Sequence, residues 1–294
     1  MNFLKNNRRI SFRYEGVDFS NLKKEILIVK EDGATITDYL FSDGFKVTNI
    51  AKKYEKYGAY EWVTWFENTG KNDTGVISEL CDCDVDFAFE QDERPKSGDF
   101  LPQPLTTKIY SPAGSTWARD EFCANAEETL PGGTKAYYLF PGDTKTYATS
   151  GGCSSQERAP FFDINRLQKG VIFAIGWTGQ WNCRISRNAT HVNVKTGIEN
   201  VRFRLHPKER IRTSSIVILP YGNGQTQAHN QWRRLVKEHF SLLGTRGRPK
   251  EGPFCTSFWG STSSEKLIKR INEIGKSNLG YEYIWIDADW YGDS

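Results

Sequence analysis

Short apolar runs, separated by turn residues, fill about the first 220 residues of the chain, and no helical pattern lies between them. In one of these runs, Val192 and Val194 alternate with the polar residues Asn193 and Lys195. A period of two is typical of a strand that buries one face. Many strands without helices between them predict a mainly β fold, a large antiparallel β-sandwich over residues 1–227. The nine strands that we predict lie at 25–30, 60–68, 74–80, 135–140, 170–177, 182–187, 191–196, 201–205 and 214–221.

The segment from residue 90 to residue 125 lacks this alternation. It contains the run QDERPKSGDFLPQPL, in which prolines and charged residues are concentrated. A long stretch with this composition and no periodicity indicates irregular structure. We therefore predict a long surface loop here.

The pattern changes at residue 228, where apolar residues take up helical spacing. Gly244 is a typical helix end, and TRGRPKEGP at 245–253 has the composition of a linker. We therefore assign residues 228–252 to a bridging helix and a linker. The apolar face of this helix consists of Trp232, Leu235, Val236, His239 and Phe240.

Residues 253–294 contain two strand patterns with a helical pattern between them. The strands are FCTSFWG at 254–260 and YEYIWI at 281–286. Thr262 and Glu265 have the spacing of a capping box at the start of the helix. A strand, helix and strand of this length are typical of a βαβ unit with parallel strands. The apolar face of the helix consists of Leu267, Ile268, Ile271 and Ile274.

A two-stranded parallel sheet of this kind leaves both of its edges open. The natural continuation is a closed (β/α)8 barrel, which needs about 250 residues. Only about 40 residues follow Pro253. We therefore expect that residues 253–294 are the start of a barrel that this chain does not complete, and that the chain is a fragment.

Composition argues against several classes of protein. The 39 basic and 36 acidic residues give a net charge of +3, which predicts neither a nucleic-acid nor a membrane partner. No apolar run approaches the roughly 18 residues of a membrane span. The N-terminus, MNFLKNNRRISFRYEG, lacks the apolar segment of a signal peptide, so we expect a cytoplasmic protein.

The cysteines and histidines do not form a metal-binding pattern. Cys81 and Cys83 are spaced C-x-C, which differs from the spacing of zinc and redox sites, and the other four cysteines are scattered. Reduced thiols are the expectation, with a secreted, disulfide-bonded form as the alternative. The histidines are dispersed, and we expect no metal and no cofactor.

Four segments between residues 150 and 294 carry the most distinctive motifs of the chain. In order, they are GGCSSQERAPFFDI, GVIFAIGWTGQWNCRI, ERIRTSSIVILPYGNGQTQAHNQWRRLVKEH and YEYIWIDADWYG. They are similar, in this order, to segments of the family-36 glycoside hydrolases, the α-galactosidases or melibiases. The stretch YEWVTWFENTGKNDTGVISEL resembles the early sandwich of that family more loosely.

This resemblance implies a sandwich followed by a (β/α)8 barrel, and retaining hydrolysis of terminal α-linked galactose in oligosaccharides. Retention needs two carboxyl groups about 5–5.5 Å apart. The family places its nucleophile after the fourth barrel strand and its acid/base near the sixth. Neither strand lies in this chain, so we expect no catalytic residue here and no activity of the chain alone. An intact enzyme of this family can be a homo-oligomer.

The resemblance also implies that the acidic residues after the second barrel strand bind galactose hydroxyls. Asp287 matches the first member of the family's usual acidic pair, whereas Ala288 stands at the second position and Asp289 replaces a usual glycine. Tryptophans end both barrel strands, and an arginine of the family's loop is replaced by Cys153. The substrate-binding residues that we predict are Asp287, Asp289, Trp290, Trp259, Cys153 and Ser154.

Each of these residues also has a structural interpretation. The two aspartates can cap a helix or accept from backbone N–H groups in a βα loop. Trp259 can be a core residue, and the loop at 151–155 can be a plain turn. Trp177 and Trp181, which flank a Thr-Gly turn, are better explained by packing on the sandwich.

Two other functions remain open. A sandwich of this kind can be a module that binds carbohydrate without cleaving it, although such a module has no use for residues 254–294. The run RGRPK at 246–250 matches the core of a minor-groove DNA-binding motif. It is a single copy without a surrounding basic field, which argues against that function.

Overall fold

A computed structural model describes residues 9–88, 107–115, 136–244, 251–260 and 262–288 of the chain. The chain divides into two compact units, Met1–Arg233 and Arg234–Ser294. Each unit has its own sheets.

The first unit contains three sheets in which all the named strands pair antiparallel. The strands are β1 (Ser11–Tyr14), β2 (Val17–Asp18), β3 (Glu25–Glu31), β4 (Ala34–Leu40), β5 (Phe45–Tyr54), β6 (Ala59–Asn68), β7 (Ile77–Cys81), β8 (Cys83–Ala88), β9 (Lys108–Tyr110), β10 (Tyr137–Tyr138), β11 (Thr144–Ala148), β12 (Phe161–Arg166), β13 (Lys169–Gly176), β14 (Trp181–Arg187), β15 (His191–Ile198), β16 (Arg202–Phe203) and β17 (Arg210–Tyr221). A short 3-10 turn follows β2 at Phe19–Asn21.

One large sheet organises this unit. It has nine strands in the order β10-β9-β12-β13-β17-β6-β5-β4-β3. The two smaller sheets have four strands each, in the orders β16-β7-β1-β2 and β11-β14-β15-β8.

Two hydrophobic cores lie on one face of the nine-stranded sheet. Trp62 of β6 belongs to the first core, which it shares with Trp181 and Val194 of the sheet β11-β14-β15-β8. Phe66 of the same strand belongs to the core shared with Phe12 of the sheet β16-β7-β1-β2. Residues an even number apart project from the same face of a strand. Both small sheets therefore cover one face of the large sheet, and the predicted β-sandwich is confirmed.

A strand is present within each of the nine predicted ranges, and the structure adds eight that we did not predict. The predicted strands at 135–140 and 201–205 shrink to two residues each, and the one at 214–221 begins four residues earlier. One of the added strands, Lys108–Tyr110, corrects the interpretation of residues 90–125 as a loop throughout. Ile109 is only 1% exposed and pairs with Ile164 of β12, so this part of the segment belongs to the core. The rest of the predicted loop, apart from residues 107–115, lies outside the described residues.

Helix α1 (Gln225–Leu235) follows β17 and continues as a π-helical turn, Val236–Phe240. The helix predicted at 228–244 is present, but it starts three residues earlier, and Gly244 does not end it. The backbone is already extended at Ser241, where φ is −73° and ψ is 135°. Gln231 of α1 donates a hydrogen bond to the Tyr57 carbonyl oxygen, 2.6 Å away, which holds the helix on the turn after β5.

The second unit contains a βαβ arrangement made of β18 (Cys255–Phe258), α2 (Ser264–Lys276) and β19 (Tyr283–Ile286). The two strands pair in parallel, with Cys255 opposite Tyr283 and Phe258 opposite Ile286. This confirms the predicted parallel pairing, and the described residues contain no closed barrel.

The start of α2 differs from the predicted capping box by one residue. The N-cap is Ser263, whose side chain accepts a hydrogen bond from the backbone N–H of Lys266, 3.5 Å away. Thr262 therefore lies outside the helix, and Glu265 contributes a negative charge to the first turn rather than the reciprocal hydrogen bond of a capping box.

Candidate functional site

The carboxyl ends of β18 and β19 bring two of the predicted site residues side by side. Trp259 follows β18, and Asp287 follows β19. The backbone N–H of Asp287 donates to the Phe258 carbonyl oxygen at 3.0 Å, and the Gly260 N–H donates to the Ala288 carbonyl oxygen at 3.0 Å. The parallel ladder therefore continues past the last residue of each strand. Residues at the carboxyl ends of parallel strands are where α/β folds place their sites.

Both side chains at this edge are accessible. Trp259 is 58% exposed in this chain. Asp287 is exposed, and its Oδ1 accepts a hydrogen bond from the Ala288 backbone N–H at 2.8 Å. This bond to the loop backbone orients the carboxylate and leaves its second oxygen able to accept from a ligand. Asp289 and Trp290 lie outside the described residues.

The opposite ends of the same strands are fixed by a second set of contacts. The rings of Phe254 and Tyr281 stack with their centroids 4.8 Å apart. The Glu282 carboxylate accepts from the Phe254 N–H at 2.9 Å, and the Glu282 N–H donates back to the Phe254 carbonyl oxygen at 2.8 Å. These contacts set the register of the two strands, and the register determines which residues meet at the carboxyl ends.

The loop that contains Cys153 and Ser154 is a tightly held turn of the first unit. The Ser154 N–H donates to the Thr178 carbonyl oxygen at 3.1 Å, and the Ser154 carbonyl oxygen accepts from Trp181 Nε1 at 2.7 Å. The Cys153 side chain is an exposed free thiol, and Ser154 is half-buried. The loop is therefore anchored to a core tryptophan and presents the thiol to solvent.

The neighbouring tryptophans pack as predicted. Trp181 is 0% exposed within the first core, and Trp177 packs against that core. The other cysteines in the described part of the chain are also free thiols, and burial raises the pKa of Cys81, Cys83 and Cys183.

One polar cluster of the first unit was not identified from the sequence. The Asp163 carboxylate of β12 accepts hydrogen bonds from Tyr221 Oη, Gln225 Nε2 and His229 Nε2, each at 2.8 Å. Burial, together with the negative charge of Asp163, raises the pKa of the Tyr221 hydroxyl. A signal was present in the sequence, because a carboxylate in the middle of the run PFFDI must lie on a strand and needs partners there.

Neither a metal centre nor a membrane-spanning helix is found in the described part of the chain. No three His, Cys, Asp or Glu side chains there are arranged to hold a metal ion. None of the described helices is both long and apolar enough to cross a bilayer.

Comparison with known proteins identifies others with a similar sequence or fold. No family model matches the chain. The sequence is 23% identical to the α-galactosidase Mel36A of Lactobacillus acidophilus over 160 residues, which are 50% of this chain and 21% of that protein. The solved GH36 α-galactosidase AgaB of Geobacillus stearothermophilus gives a TM-score of 0.61 at 17% identity, over 98% of this chain and 40% of AgaB. A variant of AgaA from the same organism, solved with stachyose, gives 0.59 at 18% identity, over 96% of this chain and 38% of AgaA.

The chain therefore has the fold of a β-sandwich module that leads into a βα repeat. More particularly, it has the fold of the N-terminal part of the GH36 α-galactosidases, which confirms the resemblance noted in the sequence. It spans about two fifths of the length of the solved enzymes and about one fifth of the curated relative.

Proposed function

We propose that this chain is the N-terminal part of a retaining glycoside hydrolase that removes terminal α-linked galactose from oligosaccharides. The observation that carries the proposal is the parallel pairing of β18 and β19, which places Asp287 and Trp259 at one sheet edge. The shared fold with GH36 α-galactosidases supports the same assignment. AgaA binds stachyose in its solved complex, and we propose galactosyl oligosaccharides of this kind as the substrates.

In this proposal the sheet edge binds the sugar and does not carry out the covalent chemistry. The free oxygen of the Asp287 carboxylate accepts hydrogen bonds from galactose hydroxyls, and charge-assisted bonds of this kind are among the stronger ones. The exposed face of Trp259 stacks on the sugar ring. The nucleophile and the acid/base lie in barrel strands beyond residue 294, at the separation of about 5–5.5 Å that retention requires.

The test uses this chain joined to the sequence that follows it in its gene. The purified protein is given an aryl α-galactoside, and NMR identifies the anomer that is released first. We expect α-galactose first, because two inversions at the anomeric carbon give net retention. The matched control is Asp287→Asn in the same protein. Initial release of the β-anomer, or no hydrolysis of any galactoside by folded protein, would contradict the proposal.

We propose that this enzyme lies in the cytoplasm, that it forms a homo-oligomer, and that its partner is an oligosaccharide. Gel filtration with light scattering of the longer protein tests the oligomeric state. The alternative DNA-binding run at 246–250 lies outside the described residues.

A further inference from the structure

A cavity of about 280 Å³ lies in the first unit, outside every residue that the resemblance assigns to substrate. Its walls come from the end of β9 and the two residues after it, from β12 and β13, and from the second and third turns of α1. Cavities that bind small molecules are typically roughly 300–1,000 Å³, are mostly apolar and carry a few placed polar groups. This cavity is just below that range, which suits a single small ring.

The alternation of β12 explains why the cavity is there. Phe162 and Ile164 point into the first core, so Phe161 and Asp163 point to the opposite face of the nine-stranded sheet. Helix α1 lies over this opposite face, where its residue Trp232 meets Phe161 with ring centroids 6.3 Å apart, edge to face. The two rings form an apolar corner, and Phe161 remains 41% exposed.

The buried carboxylate beneath this corner is already used by the protein. Asp163 is only 5% exposed, and its three donors from β17 and α1 satisfy it. Gly170 makes this possible, because a Cβ at that position would lie 2.5 Å from the Tyr221 ring. The charge of Asp163 therefore holds the wall together and does not repel a neutral or electron-rich ligand.

Three further polar groups remain available along the wall. Ser111 is 4% exposed, and its hydroxyl has no hydrogen-bond partner in the described part of the chain. Serine hydroxyls turn readily between staggered positions, so this one can turn toward the cavity. His229 bonds Asp163 through Nε2, which leaves Nδ1, and Arg233 contributes a guanidinium at the exposed rim.

An apolar aromatic corner with a few hydrogen-bonding groups has the chemistry that recognises a pyranose. One face of a hexopyranose ring presents C–H groups, which pack on aromatic rings, and its edge presents hydroxyls, which donate and accept. We propose that this cavity binds one neutral hexopyranose unit, stacked on Trp232 and Phe161 and hydrogen-bonded to Ser111 and His229. The site is independent of the proposed hydrolase function, since it uses no residue of the barrel strands.

The experiment titrates residues 1–294 with methyl α-D-galactopyranoside and methyl α-D-glucopyranoside. Saturation-transfer NMR and tryptophan fluorescence measure binding. Galactitol is the matched ligand control, because it carries similar hydroxyls but no ring face. We expect saturable binding of at least one pyranoside, with a dissociation constant on the order of 1–10 mM, and much weaker binding of galactitol.

Variants distinguish sugar binding in this cavity from sugar binding at the ends of β18 and β19. Trp232→Ala and Phe161→Ala should each raise the dissociation constant at least tenfold, while Trp232→Phe keeps a ring and most of the affinity. Ser111→Ala should weaken binding several-fold without lowering Tm, because its hydroxyl has no partner to lose in the free protein. Circular dichroism and Tm check the fold, and Ser111→Ala decides the outcome if either aromatic variant fails to fold.

Two results would overturn the proposal. One is the absence of saturable binding of either pyranoside by folded protein. The other is binding that survives Phe161→Ala and Ser111→Ala but is lost in Asp287→Asn. That second result would move the sugar to the ends of β18 and β19 and would leave the proposed hydrolase function standing.

Discussion

The backbone N–H of Asp287 donates a hydrogen bond to the carbonyl oxygen of Phe258, 3.0 Å away. This single contact carries the parallel ladder beyond the ends of β18 and β19. It aligns the backbone of Asp287 with that of Trp259, although the two residues follow different strands.

The first prediction concerns Asp287 in the longer enzyme. A charge-assisted hydrogen bond contributes about 1.5–3 kcal/mol, and part of this should grow as the sugar ring approaches the oxocarbenium ion. Asp287→Asn should therefore lower kcat/KM on a galactoside at least tenfold, with little change in Tm. Asp289→Asn is the matched control and should do less. Equal and negligible effects of the two substitutions on kcat/KM would contradict the prediction and would indicate that both residues have a structural role in the loop.

The second prediction concerns the activity of residues 1–294 alone. We expect no hydrolysis of an aryl α-galactoside above the buffer background, because covalent catalysis needs the two carboxylates that we place outside this chain. The measurement is release of the aryl alcohol by homogeneous protein. Clear turnover, abolished by a substitution within the chain, would show that the catalytic pair lies inside it.

The third prediction concerns self-association. Tyr283 and Trp285 of β19 are 62% and 66% exposed, and among the described residues β19 pairs with β18 alone. An open apolar edge pairs with other chains. We expect concentration-dependent association in sedimentation experiments, reduced by Trp285→Lys and removed when the chain is shortened near Pro249. A monomer at high concentration, with no effect of either change, would contradict this.

The fourth prediction concerns Asp82, which is 1% exposed. Burial raises the pKa of Asp82 to about 6, although hydrogen bonds from Ser214 and Thr213 oppose the shift. The folded state therefore favours the neutral acid. The stability that Asp82 contributes is complete below its unfolded pKa of about 3.9 and is lost as the pH rises through 6.

Asp82→Asn keeps a neutral group at this position at every pH, and its side-chain oxygen still accepts from Ser214. We expect the free energy of unfolding of the variant, measured by urea titration, to exceed that of the wild type by up to about 3 kcal/mol at pH 8. The difference should vanish near pH 4. Asp18→Asn, at an exposed position of β2, is the control for charge alone. A difference independent of pH would show that the carboxylate is not the cause.

The fifth prediction concerns the glycine beneath Tyr221. A Cβ at position 170 would lie 2.5 Å from the Tyr221 ring and 2.6 Å from the carbonyl oxygen of Ile164. The Ile164 carbonyl oxygen can move away only if the backbone shifts. Gly170→Ala should therefore lower the free energy of unfolding by about 1–3 kcal/mol. Gly222→Ala, where an added Cβ meets nothing within 4 Å, is the matched control and should be nearly neutral.

Two neighbouring strands show what the sequence could and could not predict. In β6, Tyr60, Trp62 and Phe66 are buried between half-exposed residues, and the pattern was visible. In β5, the buried Asn49 interrupts the apolar run. It accepts from Arg9 Nε at 2.7 Å and donates to Thr64 Oγ1 at 3.0 Å. Partners that lie far along the chain satisfy this residue, and periodicity does not reveal them.

The candidate sites divide in the same way. The order of strand, helix and strand was sufficient to predict the parallel pairing of β18 and β19, and this pairing brings Trp259 and Asp287 to the same edge of the sheet. The run PFFDI indicates that Asp163 needs partners, but it does not identify them, since the donors are 58 to 66 residues away and come from a strand end and a helix. The exposed ring of Phe161 likewise gains its role only when α1 crosses above it.

The pairing of β6 with β17 has a consequence for the synthesis of the chain. Ser215 bonds Glu61 across 154 positions of sequence, and these two strands sit side by side in the nine-stranded sheet. At roughly 5–20 residues per second, a ribosome needs about 8–30 s to supply the second strand after the first. During that interval the large aromatic side chains of β6 emerge without the neighbour that shields one side of their strand. The order of translation thus leaves one edge of β6 without its partner strand until β17 arrives.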